Sequence, residues 1–184
     1  ATQSVQYSIQ KRRAKIRTQN VLNALSQKNQ VTDLQNQPLP KSVAVKCQNI
    51  LSGAPGDLED VGQLAATTGR PIEIYDKDNK RLQTTIGSDN EGDPIRLQCE
   101  KLPEGGVRFS GYGDQGSTFS SHPDDALFGG VLSQLSPQER EKLDIASVRA
   151  FRKRIADNIR ANPEQSLGVQ RQLADMRRVY GSTV

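Results

Sequence analysis

This chain has few apolar and aromatic residues, and few of the side chains that build disulfide frameworks or metal sites. Of its 184 residues, 34% are hydrophobic and 4% are aromatic, and there is no tryptophan. Two cysteines, Cys47 and Cys99, exclude a disulfide scaffold, and a single histidine excludes a histidine-rich metal centre. We therefore expect a polar chain with one modest core, and we expect neither a metal nor another cofactor.

Long apolar runs are missing as well. No stretch approaches the roughly 20 apolar residues of a membrane span, and the first residues lack the pattern of a signal peptide. The net charge is +4, with basic residues near both ends and an acidic middle. Basic clusters can bind nucleic acid or acidic lipid, but here they alternate with apolar residues, as on solvated helix faces. We expect a cytoplasmic protein that binds neither nucleic acid nor a membrane.

The order of the predicted elements indicates an α+β fold. Helical spacing of apolar residues predicts helices at residues 4–28, 43–51, 58–68, 145–162 and 169–180. Alternation of apolar and polar residues predicts strands at residues 71–75, 81–86, 94–99 and 107–112. Strands grouped in the middle of a helical chain predict one small, mostly antiparallel sheet with helices packed around it.

Residues 122–135 change from a polar loop into an apolar helix. Asp124 and Asp125 suit the N-cap and first turn, where carboxylates meet free N–H groups. The apolar residues that follow at helical spacing are Leu127, Phe128, Val131, Leu132 and Leu135. Ala126 then stands in the first turn of a buried helix, where cysteine proteases place a nucleophile because a thiolate and an oxyanion are stabilised there. The alternative is an ordinary capped core helix.

Two blocks of the sequence together resemble the ovarian tumour (OTU) family of cysteine proteases. Residues 124–128 and 148–163 resemble the family's Cys-Leu-Phe step and the helix "R-x-x-I-A-D-x-I-R-x-N-P" that follows it. Residues 57–65, 70–75 and 94–97 resemble the helix and strands of the family's second half. The family has these blocks in the opposite order, so the chain resembles a circularly permuted OTU domain, which is plausible where chain termini lie close together.

The resemblance implies a papain-like, OTU-type fold and a deubiquitinase, which cleaves the isopeptide bond between ubiquitin and a lysine amine. By position, Ala126 stands in place of the nucleophilic cysteine, as an engineered or natural Cys-to-Ala change would leave it. Backbone N–H groups from Asp124 to Ala126 would form the oxyanion hole. This chain itself is therefore expected to be inactive.

The general base is the second departure from the family pattern. Arg108 stands where the family has its catalytic histidine, and an arginine cannot act as a base at neutral pH. His122 is the remaining candidate, with Asp124 or Asp125 to orient it. The alternative is that His122 is an exposed loop residue and that one of the two carboxylates caps the helix.

Residues 1–50 are expected to form an N-terminal helical extension, and residues 51–184 the permuted OTU-like domain. The resemblance implies a monomer that binds ubiquitin or polyubiquitin, and secretion into a host cytosol as a bacterial effector would fit the habits of such proteases. Two alternatives stay open. One is a ubiquitin-binding pseudoprotease without catalysis, and the other is a basic helical adaptor that binds nucleic acid or a membrane.

Overall fold

The α+β class is confirmed in a computed structural model, which describes residues 39–180 apart from the side chains of residues 176–180. This part of the chain forms a four-stranded mixed sheet and six α-helices. The helix predicted at residues 4–28 lies outside the described residues. No helix within 39–180 is both long and apolar enough to cross a membrane.

The sheet contains one parallel and two antiparallel pairings, so it is mostly antiparallel, as predicted. Its strands are β1 (Ile72–Asp76), β2 (Leu82–Ile86), β3 (Ile95–Lys101) and β4 (Val107–Gly111). Their order across the sheet is β2-β1-β3-β4, with β1 parallel to β3. Because side chains alternate between the two faces of a strand, the apolar positions of each strand gather on one face. The buried residues of that face include Ile72, Ile74, Ile95, Leu97 and Phe109.

The described residues form six helices where five were predicted; the short helix at Pro137–Leu143 is additional, and the others differ from the predicted ones mainly at their ends. The six are α1 (Lys41–Ser52), α2 (Leu58–Thr68), α3 (Ala126–Leu132), α4 (Pro137–Leu143), α5 (Val148–Ala161) and α6 (Pro163–Tyr180). Helix α6 starts earlier than the predicted residue 169. Pro163 occupies its first position, where a residue needs no N–H donor and a proline fits well.

Helix α3 packs closely against the edge strand β4. A Cβ atom added to Gly130 would overlap the backbone of Gly111, so the two backbones can approach each other only because both residues are glycine. Leu127 and Phe128 are fully buried beneath this contact. The first residue of α3 therefore lies beside the end of β4.

Helix α1 packs against α5 in a compact unit that begins at Pro40. Cys47 of α1 is fully buried, and its thiol lies 3.7 Å from the carbonyl oxygen of Ala156, to which it donates. Burial raises the pKa of the Cys47 thiol, and that of Cys99 in β3 as well. Both cysteines are thus small core residues in this structure, and neither has the low pKa of a reactive thiolate.

Candidate functional site

Two of the predicted site residues, Ala126 and His122, line the same cavity of about 320 Å³. Ala126 is the first residue of α3, and His122 immediately precedes a short 3-10 turn, Pro123–Asp125, that leads into the helix. Much of the remaining wall carries hydroxyl groups, from Ser110, Ser117, Ser120 and Ser121. The predicted nucleophile position and the only imidazole in the sequence are thus brought to one cavity.

The 3-10 turn occupies the backbone donors that were predicted to form an oxyanion hole. The N–H of Asp124 donates to His122 Nδ1 over 3.1 Å, and the N–H of Asp125 donates to the His122 carbonyl oxygen over 2.9 Å. The N–H of Ala126 donates to the carbonyl oxygen of Pro123. Each predicted donor has an acceptor within the turn, so an oxyanion could bind them only by replacing these bonds.

His122 caps this turn through its side chain. The side chain is 65% exposed, in agreement with the alternative of an exposed loop residue, and Nδ1 lies 3.6 Å from Asp124 Oδ2. Because Nδ1 accepts a hydrogen bond, a neutral imidazole carries its proton on Nε2. The ring must therefore release the Asp124 N–H before Nδ1 can take a proton from another group.

Asp125 occupies the N-cap position of α3, but its carboxylate makes no capping hydrogen bond, so the predicted cap is wrong at this residue. The carboxylate instead forms an ion pair with Arg152, in which Oδ1 lies 2.8 Å from Nη2. The sequence predicts solvated helix faces for the basic residues near the end of the chain, yet Arg152 is only 5% exposed. The carboxylate of Asp125 therefore serves the ion pair with Arg152 and leaves the cap position without a side-chain bond.

Arg108 does not line the cavity. It lies on β4 opposite Glu100 of β3, and Ser110, two residues further along the same strand face, reaches the cavity in its place. The resemblance aligned Arg108 with the family's histidine, and the structure does not bring it to Ala126 and His122.

A buried amide beside the cavity was missed by the sequence analysis. Gln98 of β3 is 2% exposed. Its Nε2 donates to Ser110 Oγ over 3.2 Å and to Asp114 Oδ1 over 3.1 Å, while its Oε1 accepts from the N–H of Gly113. These bonds hold the segment after β4 over the sheet. Gln98 lies on the strand face that alternation assigns to solvent, so its pattern gives no sign of this burial.

The described residues offer no alternative site built on a metal. Within residues 39–180, no group of three or more His, Cys, Asp or Glu side chains is arranged to hold a metal ion. Comparison with known proteins found no matching family model, curated protein or solved structure. A functional assignment therefore rests on the geometry of this cavity and on the resemblance of the two sequence blocks.

Proposed function

We propose that this chain is an OTU-like cysteine deubiquitinase in an inactive form, in which Ala126 stands in place of the nucleophile. The observation that carries the proposal is the shared cavity: Ala126 begins a buried helix, and its side chain lies in the same wall as His122. A thiol added to the Ala126 Cβ would extend that wall. The partner in this proposal is ubiquitin or polyubiquitin.

The chemistry of a cysteine at position 126 would follow from this arrangement. The thiolate would attack the carbonyl carbon at the C-terminus of ubiquitin, the lysine amine would leave with a proton, and water would then hydrolyse the thioester. For His122 to accept the thiol proton at Nδ1, it must first release the Asp124 N–H. The same movement would free that N–H for the oxyanion, so one rearrangement would supply both the base and a donor.

The experiment compares the chain as it stands with the Ala126→Cys variant, each incubated with ubiquitin that carries a thiol-reactive C-terminal warhead. We expect a covalent adduct by mass only in Ala126→Cys, because Cys47 and Cys99 are buried. The matched control is Ser117→Cys, which places a thiol elsewhere in the same cavity wall. Equal labelling of the two variants, or no labelling of Ala126→Cys, would overturn the protease proposal.

A ubiquitin-binding pseudoprotease is the second candidate, and one observation favours it. The turn N–H groups and His122 Nδ1 are already bonded to one another, so the cavity contains neither a free oxyanion donor in the turn nor a free base at that nitrogen. Titration of the unchanged chain with ubiquitin separates the two candidates. Binding without an adduct in Ala126→Cys supports the pseudoprotease, and the absence of both contradicts the two candidates together.

The predictions about cellular location and secretion, and the adaptor alternative, each depend on which of these proposals holds. A cytoplasmic location and use as a secreted bacterial effector depend on the protease resemblance. The alternative of a basic adaptor depends chiefly on residues 1–28, which lie outside the described residues. Binding of the full chain to nucleic acid that weakens steeply as salt is raised would favour the adaptor.

A further inference from the structure

Arg152 connects the turn at the candidate site to the end of helix α1. Its Nε donates to Asp125 Oδ1 over 2.9 Å, and its Nη2 donates to the Asp124 carbonyl oxygen over 2.8 Å. On the other side, Nη1 donates to the carbonyl oxygens of Ile50 and Ala54 over 3.1 and 3.0 Å. Every nitrogen of the guanidinium therefore has an acceptor.

The guanidinium of Arg152 lies over an aromatic ring. The Arg152 Cζ lies 4.3 Å from the centroid of the Phe128 ring, and Phe128 is fully buried in α3. The Phe151 ring packs edge-on against Phe128 at a centroid distance of 6.1 Å. A planar cation stacked in this way has N–H groups in fixed directions, which a lysine ammonium would not reproduce.

The bond to the Asp124 carbonyl determines how the turn can present its donors. In a planar trans peptide the C=O and the next N–H point in opposite directions. The peptide between Asp124 and Asp125 turns its oxygen toward Arg152 and its N–H toward the His122 carbonyl oxygen. Rotating this peptide to offer the Asp125 N–H to a ligand in the cavity would break the bond to Arg152.

We propose that Arg152 is a positioning residue that holds the turn Pro123–Asp125 in its donor-occupied form. Release of Arg152 opens the turn, and because the C-terminal end of α1 shares the same guanidinium, a displacement of that helix end is coupled to the site. The effect on ubiquitin rests on the proposed function above. The effect on the turn does not, since it depends only on the contacts of Arg152.

The first experiment measures the turn directly, by amide hydrogen exchange of Asp124, Asp125 and Ala126 in the full chain. We expect Arg152→Lys to accelerate exchange at these amides by about tenfold while the amides of α2 and β3 stay unchanged. The matched control is Arg149→Lys, an exposed position on the same helix, which should change neither set. Exchange in the turn that stays unchanged in a folded Arg152→Lys protein would overturn the inference.

A second variant covers the case in which Arg152→Lys does not fold. Asp125→Ala removes one tether of the turn and leaves the bond between Arg152 and the Asp124 carbonyl in place. It should accelerate exchange at the turn relative to the unchanged chain, by less than about tenfold. Turn amides as well protected in Asp125→Ala as in the unchanged chain would contradict the inference.

A further experiment tests the effect on the proposed reaction with ubiquitin. The double variant Ala126→Cys/Arg152→Lys is incubated with the warhead-bearing ubiquitin, and its rate of adduct formation is compared with that of Ala126→Cys alone. We expect the rate of adduct formation to rise by about threefold, because a larger fraction of molecules would have an open turn. A lower rate with unchanged core amides would contradict the coupling. If Ala126→Cys forms no adduct at all, the proposed function fails, and the exchange measurement still decides the role of Arg152.

Discussion

The buried cations Arg152 and Lys46 are neutralised in different ways. Arg152 meets one carboxylate, Asp125, and three backbone carbonyl oxygens. Lys46 of α1 is 7% exposed and meets carboxylates, with its Nζ 2.8 Å from Asp57 and 3.2 Å from Asp60. Arg152 has a single carboxylate partner, so no second carboxylate competes for its charge. Lys46 has three carboxylates within 4 Å, the third being Glu59 at 3.9 Å, and these carboxylates repel one another.

The competition around Lys46 appears in the pKa values. Burial and the charge of Asp57 raise the pKa of Asp60 to about 7, against the opposing effect of Lys46. Burial lowers the pKa of Lys46, but the charges of Asp60 and Asp57 outweigh it and leave that pKa raised. The Lys46 cluster therefore gains and loses a proton near neutral pH, whereas arginine keeps its charge throughout that range. The two clusters should differ in both strength and pH dependence.

The largest effect is expected for Arg152→Met. The substitution keeps the length of the side chain but leaves Asp125 and three carbonyl oxygens without their partner, which costs about 3–5 kcal/mol for a buried charged pair. Urea denaturation measures the loss. Arg149→Met on the exposed side of α5 is the control and should stay within about 0.5 kcal/mol. A loss below about 1 kcal/mol in Arg152→Met would mean that the cluster is already solvated.

Lys46→Met should cost less, about 1–3 kcal/mol at neutral pH, although Lys46 is equally buried. Without the ammonium, Asp60 can take up a proton and avoid an isolated buried charge, whereas the three carbonyl oxygens that lose Arg152 have no such route. The loss should therefore shrink at about pH 5, where Asp60 is protonated in any case. An equally large loss at both pH values would contradict this difference between the clusters.

Asp60→Asn tests the titration itself. The folded-state pKa of Asp60, about 7, lies above its ordinary value of 3.8, so between these values the folded state binds more protons than the unfolded state. This group therefore makes stability fall as pH rises from about 4 to about 7, and its contribution is constant above that range. The variant lacks this slope, while an asparagine oxygen can still accept from the Asp57 N–H.

The measurement for Asp60→Asn is the free energy of unfolding across this pH range, relative to the unchanged chain. The variant should gain about 3–4 kcal/mol relative to the unchanged chain between about pH 4 and pH 7, because each pKa unit corresponds to about 1.4 kcal/mol. Asp57→Asn is the matched comparison, because the Lys46 charge outweighs burial and lowers the pKa of Asp57. The contribution of Asp57 is therefore lost only as pH falls below about 4, so the stability of Asp57→Asn relative to the unchanged chain should rise there and stay level between about pH 4 and pH 7. Parallel curves for Asp60→Asn and the unchanged chain would exclude this titration.

Local signals predicted the elements well, and non-local contacts explain what they missed. Helix α2 has the predicted bounds, 58–68, because Asp57 caps it and Gly69 ends it at φ 69°, and both signals act within one turn of the chain. Arg152 stands beside Phe151 at the border of the apolar stripe of α5, and a charge there predicts a solvated face. Its burial depends on carbonyl oxygens as distant in sequence as Ile50 and Ala54.

At the candidate site too, local contacts could be predicted from the sequence and non-local contacts could not. Ala126 and His122 meet in one cavity because a single turn separates them in sequence. Arg108 does not join them, since the register of β4 on β3 brings Ser110 to the cavity. The occupied N–H groups follow from a 3-10 turn before the helix, and the sequence of Pro123 and two aspartates is also compatible with an α-helical first turn.

The smallest effect is expected for Lys153→Ala, which removes a cation paired at the surface. Lys153 and Asp157 form an ion pair of 2.9 Å one helical turn apart, with side chains 70% and 55% exposed. Water and salt screen such a pair, so the loss should stay within about 0.5 kcal/mol and vanish at high salt. Urea denaturation at low and high salt measures both. A loss above about 1 kcal/mol that persists at high salt would mean that exposure does not separate Lys153 from Arg152 and Lys46.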